Sequence, residues 1–274
     1  MTVLRRPRAA LPRHRPWPLC RQCSGVALDM GSARTRAWVA GRGMILDVPT
    51  VTFPGAGAVY PIQRGSIVDT QGTARMLDRL LGHRLPRFAR PVVVVTAPVL
   101  DGLAYRTEAR TAVEVLRPRT VLTVPSARAV ALAAGADLTR PLLVMDIGAH
   151  LTEVVLLVDG AVFDARRTAL GTGDIDDATP SARIGEALAD MTTSMLRQDG
   201  TSLTVDALGR GPLLAGGGAL RPEITCRLAD RLHVPLRAVP APHTAAVRGA
   251  AKLLEAAHTH PSTTGTDPPD GHPH

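Results

Sequence analysis

Hydrophobic residues along this chain alternate between short continuous runs and helical stripes. Runs of Val, Leu and Ile such as Val92–Val95 are typical of strands that are buried on both faces of a sheet. We predict strands at residues 25–28, 36–39, 44–53, 91–97, 120–124, 141–147, 153–158 and 212–215. Because helical patterns lie between these runs, the chain is predicted to be an α/β protein.

Three segments place their apolar residues on one helical face, at spacings of one, three or four residues. These residues are Ala109, Ala112, Val113 and Leu116; Ile184, Ala187, Leu188, Met191 and Met195; and Ala246, Ala250, Leu253 and Leu254. Such spacing brings side chains onto a single stripe that can pack against a sheet. We therefore predict a helix at each segment.

The order of these elements occurs twice. A strand, an Asp, a Gly-containing polar turn and a second strand read VALDMGSARTRAWVAG at 26–41 and LVMDIGAHLTEVVLLVDG at 143–160. Asp29 and Asp146 hold the same place in the two copies. We predict a duplicated α/β fold with a cleft between its halves. The first half spans 25–138, the second spans 139–242, and a C-terminal helix at 243–258 packs back on the first.

Charge is concentrated at the amino terminus. The chain has a net charge of +8, and residues 1–24 contain six arginines, four prolines and no acidic residue. We predict a disordered basic arm at 1–24 that can attract an anionic membrane surface, with a misplaced start codon as the alternative. Residues 259–274 are rich in Pro, Thr, His and Gly and are predicted to be a disordered tail.

Composition excludes several classes of protein. The chain contains no run of eighteen apolar residues, so a membrane-spanning helix is not predicted. Its seven aromatic residues leave the core to Val, Leu, Ile and Ala. Cys20 and Cys23 form a CxxC pair, but no second pair completes a zinc site. With Cys226 the cysteine count is odd, which favours a reduced cytoplasmic location over a disulfide scaffold.

Two Asp–x–Gly turns carry the candidate chemistry, at Asp29–Gly31 and Asp146–Gly148. Glycine lets backbone N–H groups approach a phosphate closely. An Asp at the end of the preceding strand can reach Mg²⁺ through water, which is the usual mode for this ion. A single turn of this kind is a common hairpin feature. Its repetition in the same frame predicts a phosphate site, with Asp29 and Asp146 orienting hydrated Mg²⁺.

A third element reads LLAGGGAL at Leu213–Leu220. A strand runs into three glycines and then into a predicted helix, and such a junction lets a purine or a phosphate lie against bare backbone. A flexible glycine loop is the alternative interpretation.

Together these elements resemble the actin-like ATPase superfamily and, within it, the bacterial rod-shape proteins MreB and Mbl. The resemblance extends from Gly25 to Glu255. Segments in the family's order are AGRGMILDVPTV at 40–51, GSIVD at 65–69, Met76–Leu77, the strand at 91–98, LGTGDID at 170–176 and GGGAL at 216–220.

The resemblance implies an actin-like, ribonuclease H-like duplicated fold and a protomer that binds ATP with Mg²⁺. The implied nucleotide contacts are Asp29, Gly31, Ser32, Ala33 and Thr35 in the first turn; Asp146, Gly148 and Thr152 in the second; and Gly216, Gly217, Gly218, Ala219 and Leu220 on the adenosine side. It also implies self-association or co-assembly with a full-length MreB-like protein. Further implications are work with the cell-wall synthesis machinery and a cytoplasmic location at the inner face of the cell membrane. No nucleic-acid partner is expected.

Several residues depart from the family pattern. The second turn reads DIGAHLTE where the family has DIGGGTTE, so Ala149 and His150 would be strained if their φ were positive. Val124 stands where the family has an acidic residue that helps to activate water, and valine cannot do this. Arg34 replaces an asparagine of the first turn, where it either compensates phosphate charge or blocks the site.

Two stretches are shorter than in the family. Eleven residues separate Phe53 from Gly65, and six separate Asp177 from Ile184. We therefore expect both small subdomains to be reduced or absent. A shallower cleft buries less of a ligand, so we expect weak or vestigial ATP binding and at most weak ATPase activity.

Two other functions within the superfamily remain open. A small-molecule kinase would need a substrate-binding insertion and a catalytic acid, and the short Asp177–Ile184 stretch and Val124 argue against it. A chaperone-type ATPase would need a peptide-binding β-domain, and none follows Glu255.

Overall fold

Two five-stranded mixed sheets form the framework of the protein, whose computed structural model describes residues 24–85, 90–100 and 102–259. Most of the predicted basic arm, the Cys20–Cys23 pair and nearly all of the predicted tail lie outside these residues. In the described ranges, no helix combines the length and the apolar character needed to cross a membrane.

The first sheet has the strand order β3-β2-β1-β6-β7. β2 and β3 run antiparallel to their neighbours, whereas β6 and β7 run parallel to β1. Its strands are β1 (Gly25–Met30), β2 (Arg34–Val39), β3 (Gly43–Pro49), β6 (Val92–Ala97) and β7 (Thr120–Pro125). A separate hairpin and three helices accompany it: β4 (Ile62–Gln63), β5 (Ser66–Ile67), α1 (Thr70–Leu81), α2 (Gly102–Val113) and α3 (Ser126–Ala133).

The second sheet repeats this arrangement with the order β10-β9-β8-β11-β12 and the same strand directions. Its strands are β8 (Leu142–Ile147), β9 (Thr152–Val158), β10 (Ala161–Thr168), β11 (Leu213–Ala215) and β12 (Arg237–Ala238). Its chain segment continues with α4 (Ala182–Gln198), α5 (Leu203–Gly209), α6 (Pro222–Leu232) and α7 (Ala245–Thr259). The predicted duplicated α/β fold is confirmed.

All eight predicted strands occur in the two sheets, and the differences have local causes. The sequence predicts the third strand as far as residue 53, but β3 ends at Pro49, and the Thr50 hydroxyl then donates to the Gly31 carbonyl of the first Asp–x–Gly turn. β10 was missed because Asp164, Arg166 and Arg167 interrupt its apolar residues. As an edge strand it keeps these charged side chains partly exposed.

Helix α3 connects the two sheets. Ala127 and Val130 pack in a cluster with Leu142 and Val144 of the second sheet, while Ala129 packs in a different cluster. That second cluster joins α7 to the first sheet through Val247, Ala250, Ala251, Leu254, Ala27 and Val94. Helix α7 therefore covers a face of the first sheet although it follows the second half in the chain.

Both expected small subdomains are reduced to short connections. Between β3 and α1 the chain forms a loop and the two-residue strands of the β4–β5 hairpin. Between the 3₁₀ turn at Thr172–Asp174 and α4 it forms only a turn, held by backbone bonds between Asp176 and Thr179. At these two connections, little chain therefore rises above the cleft between the halves to enclose a ligand.

Candidate functional site

A cleft of about 300 Å³ lies between the halves, at the carboxyl ends of β1 and β8. Both Asp–x–Gly turns, the β4–β5 hairpin and the Gly216–Gly217 backbone line it. Sheets of this kind bind ligands at the carboxyl ends of their strands. The volume is at the lower end of the range for small-molecule sites.

The two Asp–x–Gly turns have the same backbone geometry. The Gly31 N–H donates to the Arg34 carbonyl at 3.0 Å, and the Gly148 N–H donates to the Leu151 carbonyl at 2.9 Å. A Cβ at Gly148 would lie 2.7 Å from that carbonyl oxygen, so this position has no room for a side chain. The sequence repeat thus produces a matched pair of turns that face the same cleft.

Besides the two turns, the backbone of Gly216 and Gly217 forms a side of the cleft. Gly216 has a φ of +80°, and a Cβ there would lie 2.3 Å from the Ile147 carbonyl oxygen, so only glycine fits. Its N–H donates to the Pro242 carbonyl at 3.0 Å. A Cβ at Gly217 would meet no atom within 4 Å, so this residue faces open space in the cleft.

The cleft brings together eight of the thirteen predicted nucleotide residues. These are Asp29, Gly31, Ser32, Ala33, Asp146, Gly148, Gly216 and Gly217. The two threonines and the end of the glycine segment lie outside this lining.

Thr35 and Thr152 lie behind the turns and do not line the cleft. Both are fully buried. The Thr35 hydroxyl lies 2.8 Å from that of Thr50, and Thr152 donates to the Leu170 carbonyl at 2.8 Å. Their hydroxyls are therefore used to hold the turns, in equivalent places of the two copies, and are not presented to a ligand.

Gly218, Ala219 and Leu220 also lie away from the cleft lining. Gly218 and Ala219 are buried, and a Cβ at Gly218 would lie only 2.1 Å from the Ile147 side chain. Leu220 is 58% exposed. The chain forms a 3₁₀ turn at Gly217–Leu220, and this turn carries the three residues away from the cleft. The glycine pattern in the sequence does not predict such a turn.

Asp29 is held by two neighbours, Thr96 and Arg36, that no motif in the sequence marks. The Thr96 hydroxyl donates to its Oδ1 at 2.8 Å, and the Arg36 guanidinium lies 3.4 Å from its Oδ2. Asp146, across the cleft, has lost hydration and faces the charge of Asp29, so its pKa is raised to about 6 despite the opposing effect of Arg36.

Glu153 is a third carboxylate of the site, and it joins the two halves. It is 3% exposed, and its Oε1 accepts hydrogen bonds from the backbone N–H groups of Val99 at 3.0 Å and Leu100 at 3.4 Å. Burial, reinforced by the nearby charge of Asp146, raises the pKa of Glu153 to about 7. In the sequence, Glu153 can be noticed as an acidic residue that directly begins the apolar run EVVLLV.

The departures from the family pattern have definite places. The Ser32 hydroxyl lies 3.0 Å from Nδ1 of His150, which links the two turns across the cleft. Neither Ala149 nor His150 has a positive φ, so the expected strain is absent. Arg34 is paired with Asp47, with Nε 2.5 Å from Oδ1. Val124 is buried in the cluster around α7.

A second link across the cleft involves the β4–β5 hairpin. Arg64 pairs with Asp174 at 2.6 Å and also donates to the Ala169 carbonyl. A Cβ at Gly65 would lie 2.6 Å from the Leu151 side chain, so the hairpin packs closely over the second turn. The hairpin therefore covers the cleft from the first half.

Asp29 does not fit the predicted magnesium role, and that of Asp146 stays a prediction. Both oxygens of Asp29 have partners, Thr96 at Oδ1 and Arg36 at Oδ2, and the Arg36 guanidinium would repel a cation placed beside them. Across the ranges that the structure describes, no group of three or more His, Cys, Asp or Glu side chains is placed to hold a metal ion.

Comparisons with known proteins agree with this fold. Residues 52–181 match the model of the MreB/Mbl protein family. The structure is similar to that of MreB5 of Spiroplasma citri bound to ADP, with a TM-score of 0.74 at 15% identity, covering 86% of this chain and 97% of that one. The AMPPNP-bound structure gives a TM-score of 0.72 at 16% identity, with the same coverage.

A third similar structure is the ethanolamine utilization protein EutJ from Carboxydothermus hydrogenoformans. Its TM-score is 0.61 at 15% identity, and the match covers 87% of this chain and 91% of that chain. At these identities the solved structures establish the fold, and the family model adds the relationship over residues 52–181. The chain therefore has an actin-like fold with reduced small subdomains, and its residues 52–181 are similar to the MreB/Mbl family.

Proposed function

We propose that this protein is an MreB-like cytoskeletal or scaffold protein that binds ATP weakly in the cleft between its halves. The observation that carries the proposal is the matched pair of Asp–x–Gly turns, which line the same cleft together with the Gly216–Gly217 backbone. The similar protein MreB5 of Spiroplasma citri was solved with ADP and with AMPPNP.

Weak binding follows from the shape of the cleft. The Ser32–His150 and Arg64–Asp174 contacts join its two sides, and the short connections at its rims leave little surface to enclose a nucleoside. Hydrolysis should be slow at best. Val124, at the position expected to activate water, is buried in an apolar cluster and has no group to accept a proton.

The proposed biological role is scaffolding in cell-shape and cell-wall morphogenesis, in the cytoplasm at the inner face of the cell membrane. Its partners would be further copies of this chain or a full-length MreB-like protein, together with cell-wall synthesis proteins. The match to the MreB/Mbl family over residues 52–181 supports this proposal. Within that range the side chains of Phe53, Tyr60 and Leu103 are more than half exposed and supply apolar surface for such contacts.

The substitution Gly217→Leu tests the nucleotide site. A Cβ there would meet no atom within 4 Å, and the leucine side chain would extend into the open cleft. We expect it to weaken ATP binding by about tenfold or more, which corresponds to about 1.4 kcal/mol. Calorimetric titration of ATP, with thermal unfolding measured in parallel, checks both binding and folding.

Gly200→Leu is the matched control, because Gly200 also has open space around it and does not line the cleft. It should bind ATP like the wild type. If Gly217→Leu also bound ATP like the wild type, a nucleotide site in this cleft would be refuted.

Assembly is tested by sedimentation of the purified protein with MgATP, with anionic liposomes, or with both. We expect pelleting with liposomes, because six arginines lie in residues 1–24. A variant that begins at Ser24 should not pellet with them. Absence of pelleting in every condition would count against autonomous assembly, and co-pelleting with a full-length MreB-like protein would then support co-assembly.

A further inference from the structure

The two copies of the duplicated fold carry opposite charges at equivalent positions. On the first sheet Asp29 is paired in register with Arg36, and on the second sheet Asp146 is paired in register with Glu153. Both pairs line the cleft. The first half therefore presents a fixed positive charge at the place where the second half presents a buried acid.

Arg36 is less engaged than its neighbour Arg34. Arg34 places Nε 2.5 Å from Oδ1 of Asp47 and donates to the Asp47 carbonyl at 2.6 Å. Arg36 contacts Asp29 through Nη1 at 3.4 Å and Asp47 through its buried Nε at 3.3 Å. Because a guanidinium has five N–H donors, these long contacts leave Arg36 with donors for a ligand.

The guanidinium of Arg36 also occupies the side of Asp29 that a hydrated metal ion would need. Oδ1 of Asp29 already accepts from Thr96, and Oδ2 faces Arg36. The side chain of Arg36 is 14% exposed, so it can reach a ligand in the cleft while it stays fixed against the sheet.

We propose that Arg36 takes the place of the divalent cation, so that the cleft binds the phosphates of a nucleoside di- or triphosphate without Mg²⁺. This inference rests on the proposed nucleotide binding. Arginine is suited to the role because its planar fork matches two phosphate oxygens and its charge persists at every physiological pH. The N–H groups of Gly31 and Gly148 already donate within the protein, so further donors come from the other backbone N–H groups of the two turns.

The carboxylates of the cleft are compatible with an anionic ligand. Asp29 is neutralised by Arg36, and Glu153 directs Oε1 at the backbone N–H groups of Val99 and Leu100. Asp146 is the charge that remains, and Arg36 is near enough to oppose it. The Arg36 guanidinium therefore opposes the charge of one acid from each half, Asp29 and Asp146.

The test is a titration of the full chain with ATP in excess Mg²⁺ and again in excess EDTA. The wild type should bind with dissociation constants that agree within about threefold. Arg36→Leu should weaken binding in EDTA by about tenfold to a hundredfold, since a hydrogen bond to a charged group contributes about 1.5–3 kcal/mol. Mg²⁺ should restore part of that loss by taking the vacated place beside Asp29. Arg36→Lys should lose less than Arg36→Leu in EDTA.

Arg110→Leu on α2 is the matched control, because it removes the same charge from an exposed position outside the cleft. It should leave both titrations unchanged. Wild-type binding that is more than tenfold weaker in EDTA than in Mg²⁺ would overturn the role of Arg36 while leaving the nucleotide site in place. Equal binding of wild type and Arg36→Leu in EDTA would also overturn it. An absence of binding in both conditions would instead refute the proposed function.

Discussion

Replacing Gly249 by alanine should lower the free energy of unfolding by about 3 kcal/mol or more. Gly249 lies on α7 where this helix crosses α3, and a Cβ there would be only 1.7 Å from the carbonyl oxygen of Ala129. Backbone cannot move aside as the end of a flexible side chain can, so the two helices must separate. Their separation would open the apolar contacts of Ala250 and Val247 with the first sheet.

Denaturant unfolding monitored by circular dichroism measures this effect. Gly209→Ala is the matched control, because Gly209 is also helical and a Cβ there would meet no atom within 4 Å. It should unfold like the wild type or at slightly higher denaturant concentration. A Gly249→Ala protein with the stability of the wild type would show that α3 and α7 do not cross at this contact.

Glu153→Gln should stabilise the protein at alkaline pH by up to about 3 kcal/mol. Burial, together with Asp146, raises the pKa of Glu153 from 4.5 to about 7. Between these values the folded protein holds a proton that the unfolded chain has released. The protonated Glu153 side chain therefore contributes its full stabilisation below pH 4.5, and this contribution is lost as the pH rises through 7. Glutamine keeps an oxygen that can accept from Val99 and Leu100, but it does not ionise.

The measurement is the free energy of unfolding of both proteins between pH 4.5 and 8.5. The difference between them should be small at the acid end and should grow as the pH rises. Glu186→Gln is a control of opposite character, because Arg227 lowers the pKa of Glu186. It should give no stabilisation at alkaline pH. A Glu153→Gln curve parallel to the wild type would mean that Glu153 does not titrate in this range.

The duplicated framework was predictable from the sequence because each buried strand is a short continuous run of apolar residues. Runs such as Val92–Val95, together with the repeated Asp–x–Gly turns, fixed the number of halves and the position of the cleft. β10 has a weaker apolar pattern, since an edge strand needs apolar residues on one face only.

The candidate site was predictable only in part, for reasons of geometry. The turns could be found because glycine marks them, but the sequence does not show which side of a turn faces the ligand. Thr35 and Thr152 therefore appeared to be ligand contacts although their hydroxyls support the turns from behind. The link between Ser32 and His150 spans 118 residues and depends on the packing of the two halves. No local pattern encodes such a distance.

During synthesis, the first half cannot complete its packing until the end of the chain has been made. The first sheet is translated first, yet the helix that covers Ala27 and Val94 begins only at Ala245, after the whole second half. Until that helix leaves the ribosome, the early half exposes an apolar sheet face to the cell. This face is a site for chaperones or for misassembly while translation proceeds. A shortened α7 should therefore impair the first half most, although the deletion lies at the opposite end of the sequence.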